Sequence, residues 1–132
     1  MKNVLEFQNK KAKGEPISMV TSYDTWSARI INETHIDCIL VGDSASMVMH
    51  GYPSTVHASI EMIAAHVAAV AKGASLKFIV GDLPFLSHRK GKASLMESVE
   101  TLMKAGANSV KLEGARGHLE DAAYVVESGV PV

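Results

Sequence analysis

Short apolar runs alternate with stretches in which apolar residues recur every three or four positions, and this alternation organises the chain from end to end. Residues 1–13 predict an amphipathic helix with Val4, Leu5 and Phe7 on its apolar side, stopped by Gly14 and Pro16. Residues 17–22 (ISMVTS) read as a strand and 24–34 as a helix. Residues 36–41 (IDCILV) read as a second strand, rich in branched side chains and ending at Gly42. A long connection over 44–58 leads to a helix over 59–72, where Ile60, Ile63, Val67 and Val70 share a face. Ser59 is placed to cap its start, and Gly73 stands where a left-handed glycine ends many helices.

Residues 76–80 (LKFIV) predict a third strand and 92–105 a helix with Leu95, Met96, Val99, Leu102 and Met103 on one face, closed by Gly106. Its start is either a capping box of Ser94 and Glu97 or Gly91. Residues 109–112 form a fourth strand, 117–128 a fourth helix of the repeating series, and 130–132 the beginning of a fifth strand.

Continuous apolar strands that alternate with helices imply parallel strands covered by helices. That leaves an open doubly wound sheet or part of a (β/α)8 barrel. Units of roughly 30–40 residues match a barrel of about 250 residues. The expectation is an α/β chain of TIM-barrel type with about the first half of the barrel present. It forms one domain: a helix over 1–13, then four βα units and the start of a fifth strand over 16–132. A lone half barrel leaves sheet edges unpaired and its interior open, so the expectation includes a fragment, or completion by another copy or chain.

Composition narrows the function classes. The 132 residues carry 13 basic and 14 acidic side chains, a formal net charge of −1, so no basic excess is present to bind nucleic acid. Cys38 is the only cysteine and rules out a disulfide framework within one chain. The polar N-terminus lacks a signal-peptide apolar region, and no apolar stretch approaches the roughly 18 residues of a membrane span. The expected setting is cytoplasmic, without membrane partners.

Ligands of parallel α/β folds bind at the carboxyl ends of the strands. There the sequence places Asp43 after strand two, Asp82 after strand three and Glu113 after strand four, 39 and then 31 positions apart, one acid per βα unit. Three carboxylates converging on one rim repel unless a cation neutralises them, and an all-oxygen donor set favours Mg²⁺. Turn chemistry alone also puts Asp and Gly after strands. Lys111 shares a side of its strand with Glu113 and can be a Schiff-base nucleophile, a carboxylate anchor or a counter-ion. The six histidines show no metal-ligand spacing and read mostly as surface or helix-packing residues, and no phosphate-cradling glycine loop occurs. The long 44–58 connection suggests a substrate-covering role, with Met47 and Met49 as candidate pocket residues.

The segments MVTSYD, LVGDS, HGYPST, GDLPF, LMKAGANSVKLEG and SGVPV, in this order, resemble the N-terminal half of the ketopantoate hydroxymethyltransferase family. The similarity runs over residues 17–132. It implies a (β/α)8 barrel assembled into a homo-oligomer, and transfer of a hydroxymethyl group from 5,10-methylenetetrahydrofolate to 3-methyl-2-oxobutanoate, giving 2-dehydropantoate for pantothenate synthesis. It further implies that Asp43 and Asp82 ligate Mg²⁺ directly, with Glu113 a ligand through water, and that Asp43, Ser44, Asp82 and Lys111 contact the oxo acid. A Mg²⁺-stabilised enolate is the expected intermediate. The family's histidine motif and general base fall beyond Val132, so no catalytic base is identified in this chain. A Mg²⁺-dependent lyase or mutase of the phosphoenolpyruvate mutase/isocitrate lyase type is the competing enzyme reading, and a catalytically inactive truncated chain is the third.

Overall fold

The computed structural model describes residues 3–114 and 116–132. Met1 and Lys2, the first two residues of the expected N-terminal helix, lie outside the described residues. The elements follow in the order α1 (Val4–Lys13), β1 (Met19–Thr21), α2 (Thr25–Asn32), β2 (Cys38–Val41), α3 (Ala45–Val48), α4 (Ile60–Gly73), β3 (Phe78–Asp82), α5 (Lys92–Ala105), β4 (Ser109–Lys111) and α6 (Leu119–Glu127). Short 3₁₀ turns occupy Thr55–His57 and Ser87–Arg89.

All strand pairs are parallel, in the order β1-β2-β3-β4. A doubly wound sheet reverses its strand order at a switch point; this one never reverses. Each strand simply adds to the same edge, as in a barrel wall. Val20, Ile39, Val41, Ile79 and Val110 share the outer face. Ile39, Val41 and Val110 are fully or almost fully buried there, within one core that also contains Ile63, Val67, Val70, Leu95, Val99 and Leu102 of α4 and α5. Burying each such side chain contributes about 1.5–3 kcal/mol.

Leu40, Val80, Asp82 and Lys111 alternate onto the opposite, inner face, with Met19 of β1 beside them. No helix after α1 covers that face, and Met19 stands 52% exposed. A groove of about 380 Å³ runs along it from Phe7 and Phe78 up to Lys111. Helix α1 closes its lower end. Phe7 meets Phe78 edge-to-face at 4.9 Å, and Lys10 Nζ donates to both Asp37 carboxylate oxygens at 2.7 and 2.8 Å.

Several local expectations change. The 44–58 connection is not structureless, since α3 and a 3₁₀ turn shape it, and Ser46 Oγ pins it by donating to Asp43 O at 2.9 Å. Gly73 is the last helical residue of α4 and not a left-handed cap. Its bare Cα is needed elsewhere: a Cβ would sit 2.5 Å from Thr25 O and 2.8 Å from Ala28 Cβ, where α2 crosses α4. Gly91 is the N-cap of α5, so the Ser94–Glu97 capping box does not form. Residues 130–132 form no strand among the described residues, although Val110 N donates to Pro131 O at 3.1 Å alongside β4.

Candidate metal and oxo-acid site

Asp82 is the final residue of β3 and pairs in register with Lys111 of β4, so both side chains rise from the inner face at the carboxyl end of the sheet. Direct cross-strand neighbours on one face lie within side-chain reach. Lys111 Nζ donates to Asp82 Oδ2 at 2.6 Å, and Asp43 N donates to the same oxygen at 3.1 Å. Gly42 leaves room for the Ser44 hydroxyl beside it. A Cβ there would meet Ser44 Oγ at 2.9 Å and Asp82 Oδ2 at 3.8 Å. Three neighbouring strands thus bring Asp43, Ser44, Asp82 and Lys111 together.

The Asp82 side chain is 2% exposed. Burial pushes its carboxyl up, against the opposing pull of Lys111 and the Asp43 amide. Burial draws the Lys111 ammonium down, but the hydrogen bond and charge of Asp82, joined by Glu113, outweigh it and hold the lysine above its ordinary value. A lysine kept protonated is a poor Schiff-base nucleophile, which leaves the anchor and counter-ion roles. Glu113 sits differently. Its side chain is 77% exposed and turned to Lys111 Nζ at 3.1 Å. No three carboxylate, imidazole or thiol groups converge to hold an ion among the described residues, so the expected three-acid cluster is not drawn together here. Lys111 supplies the positive charge between Asp82 and Glu113 instead.

The donor chemistry nevertheless fits a hard cation at two of the three acids. The Asp43 carboxylate and Asp82 Oδ1 make no hydrogen bond to any described residue, whereas Asp82 Oδ2 is fully engaged. Free carboxylate oxygens from two neighbouring strands suit Mg²⁺, which takes one or two carboxylates directly and keeps its waters.

Sequence reasoning did not single out Tyr23 or two histidine pairs. Tyr23 OH lies 2.8 Å from Ser44 Oγ, and His66 Nδ1 donates to the Tyr23 carbonyl at 2.7 Å. His66 Nε2 in turn lies 2.8 Å from His50 Nε2, in hydrogen-bond contact. His88 and His118 form a second imidazole pair, with ring centroids 4.4 Å apart. Four of the six histidines therefore face another histidine. The signal for Tyr23 was its position after β1, equivalent to that of the strand-end acids. Its neighbour Asp24 is an acid at a strand end too, yet it caps α2 through Ser27 N at 2.9 Å. Met47 and Met49 stand exposed on or beside α3.

Residues 1–132 match the family described as Ketopantoate hydroxymethyltransferase. The chain belongs to the ketopantoate hydroxymethyltransferase family. It is 53% identical over its whole length to a 3-methyl-2-oxobutanoate hydroxymethyltransferase of Bdellovibrio bacteriovorus, of which it covers 50%. It is 52% identical over 131 residues to the enzyme of that name from Coxiella burnetii, of which it covers 49%. The chain spans about half the length of these relatives. Among solved structures, it superposes with a TM-score of 0.67 on phosphonopyruvate hydrolase in complex with oxalate and Mg²⁺, at 13% identity over 83% of this chain and 38% of that one. A 2,3-dimethylmalate lyase of the PEP mutase/isocitrate lyase superfamily gives a TM-score of 0.62 at 12% identity, over 83% of this chain and 39% of that one. At that identity the likeness shows the fold alone. The family's fold is thus of TIM-barrel type, and this chain supplies about half a barrel. No helix among the described residues is long and apolar enough to cross a membrane.

Proposed function

We infer that this chain carries the metal and oxo-acid half of a hydroxymethyltransferase site. The reaction moves a one-carbon unit from 5,10-methylenetetrahydrofolate to 3-methyl-2-oxobutanoate and yields 2-dehydropantoate for pantothenate synthesis. The observation that supports this reading is the buried Asp82 carboxylate, held at 2.6 Å by Lys111 and at 3.1 Å by the Asp43 amide, with one oxygen left free.

Asp43 and Asp82 hold the cation in this reading, and Glu113 reaches it through water. When bound, Mg²⁺ supplies positive charge beside the keto and carboxylate oxygens of the oxo acid and favours loss of its C3 proton. Lys111 offsets the substrate carboxylate and Ser44 donates a hydrogen bond to it, with Tyr23 as the donor that orients Ser44. In the overall change the C3–H bond breaks and C3 bonds to the one-carbon unit. Both bonds from that carbon to the folate nitrogens break, one as C3 bonds and one as water supplies the hydroxyl, and the protons lost from C3 and from water end on the two nitrogens. None of the residues assigned here takes the C3 proton. The reading includes a homo-oligomer, as the family resemblance implies, in the cytoplasmic setting that the composition suggests.

Calorimetry of 3-methyl-2-oxobutanoate with and without Mg²⁺ tests the half site. Mg²⁺-dependent binding is expected, and binding indifferent to the metal refutes it. Turnover with methylenetetrahydrofolate, measured with and without a C-terminal half supplied in trans, tests the rest. Activity is expected only with the added half. Turnover by the 132 residues alone would place a base among them.

A further inference from the structure

Helix α3 follows the metal ligand Asp43 and starts from Ser44, yet it is a single turn of four residues. A helix that short does not hold its own shape in water, because the cost of its nucleating turn exceeds the gain from its few hydrogen bonds. Its own cap is also missing. Ser44 occupies the N-cap but makes no capping bond, so its hydroxyl stays available to Tyr23 and to a ligand. Ala45 and Ser46 pack inward, whereas Met47, Val48 and Met49 stand exposed. Contacts from outside the helix therefore set its direction.

Three such contacts close a ring around it. At the start of α3, Tyr23 OH meets Ser44 Oγ at 2.8 Å. His66 Nδ1 donates to the Tyr23 carbonyl at 2.7 Å. His66 Nε2 lies 2.8 Å from Nε2 of His50, the residue directly after the C-cap of α3. The ring thus runs from Ser44 through Tyr23, His66 and His50 and back along α3. Its fixed point is His66, carried by the 14-residue α4 beside the fully buried Val67. Among the described residues, His50 is the only side chain of 47–53 with a hydrogen bond outside the 44–58 connection. A metal centre needs more than this pair offers: no third His, Cys, Asp or Glu joins it among the described residues, and zinc sites draw on three or four protein ligands.

We propose that His50 and His66 are positioning residues: their imidazole contact braces the far end of α3 and, through Tyr23, aims the Ser44 hydroxyl at the oxo-acid carboxylate. The assignment rests on the hydroxymethyltransferase reading and extends it to two residues that act at one remove from the ligand. With α3 tied at both ends, Ser44 is held in place before the ligand arrives, which lowers the ordering cost of binding. Without the tie at His50, the exposed end of α3 is free to pivot about the buried Ala45 and Ser46, and Ser44 moves with it.

Calorimetry of 3-methyl-2-oxobutanoate with Mg²⁺, on the full chain and its variants, tests the brace. His50→Ala is expected to raise the dissociation constant about five-fold, the effect of one lost hydrogen bond. His50→Gln carries an amide that donates or accepts at the same reach and is expected to stay within about two-fold of the parent. His66→Asn keeps an N–H for the Tyr23 carbonyl, removes Nε2, and is expected to match His50→Ala. Parent-like affinity in both His50→Ala and His66→Asn overturns the proposal, and so does a loss in His50→Gln equal to that in His50→Ala. Because His50 acts through Ser44, His50→Ala should weaken binding no further in a Ser44→Ala background; additive losses refute that route. Amide hydrogen exchange in the unliganded chain reads the brace without substrate. Exchange over 46–49 is expected to speed up several-fold in His50→Ala and to recover in His50→Gln, and unchanged exchange refutes the brace. Failure of the parent chain to bind the oxo acid brings down the hydroxymethyltransferase reading and the positioning role together. Oxo-acid binding by the parent that His50→Ala leaves unaltered, with exchange faster, rejects the positioning role alone.

Discussion

Two Asp–Lys pairs sit at opposite ends of the same sheet, and their surroundings treat the carboxylate in opposite ways. At the lower end Asp37 accepts from Lys10 Nζ with both oxygens, at 2.7 and 2.8 Å, and from Ser18 N and Oγ at 2.8 and 3.0 Å. Burial raises its pKa, but Lys10 and Ser18 together outweigh burial and hold the carboxyl below its usual range. At the upper end Asp82 receives two donors on one oxygen and none on the other, and burial prevails. A carboxylate with both oxygens engaged by donors is finished structure. One buried with an oxygen free has a further partner to take, and a cation on two strand-end acids is the partner that the chemistry favours.

Exchanging each acid for its amide separates the two roles. Asp82→Asn is expected to weaken Mg²⁺-dependent oxo-acid binding by on the order of 100-fold or more, since even outer-shell changes at metal sites cost 10–100-fold. Its stability should stay within about 1 kcal/mol of the parent, because the amide oxygen still accepts from Lys111 and Asp43 while a desolvated charge is removed. Calorimetry and urea unfolding on the same preparation check both halves, and unchanged binding would remove Asp82 from the site.

Asp37→Asn should show the reverse. It leaves Lys10 and Ser18 poorly paired and lowers stability by about 2 kcal/mol, toward the lower end for a partly exposed pair, while oxo-acid affinity per folded molecule holds. The pH dependence follows from the same contrast. A carboxyl whose folded pKa is depressed stabilises above its unfolded value, near 3.9, and loses that contribution as pH falls through the folded value. Acid unfolding of the parent should therefore steepen below about pH 4, and Asp37→Asn should remove that component. Asp82, displaced upward, contributes with the opposite sign: its ionisation costs stability as pH rises through the interval between its unfolded and folded values. Urea midpoints from pH 3 to 7 distinguish the two variants.

The smallest expected effect concerns Ser44. Tyr23→Phe removes one hydrogen bond at 2.8 Å and should raise the oxo-acid dissociation constant about five-fold, with thermal unfolding little changed. No change in affinity would show that Ser44 is oriented without Tyr23.

Much of this arrangement was legible before the fold was known. Strands rich in branched apolar residues alternated with helical periodicity, and Asp43, Asp82 and Glu113 fell after successive strands. The periodicity is local, because side-chain direction repeats every two or 3.6 residues. The family motifs are carried by residues contiguous in the chain. Glu113 shows where this stops: its spacing matched the other acids, but its contact with Lys111 depends on a charge 2.6 Å from Asp82 on the neighbouring strand. Gly73 likewise looked like a cap and proved to be a crossing point of α2 and α4.

The sequence by itself determined the parallel α/β order, the family and which acids stand at strand ends, for these follow from short-range pattern. Only the tertiary structure decided that Asp82 and Lys111 face each other and that Asp82 keeps an oxygen free. It alone drew His88 and His118 to 4.4 Å and placed both beside Asp43 and Glu113. Those facts depend on strand register and on loops meeting from different βα units. Desolvation and charge pairing act through space between residues some 30–40 positions apart, and sequence order holds no record of that distance.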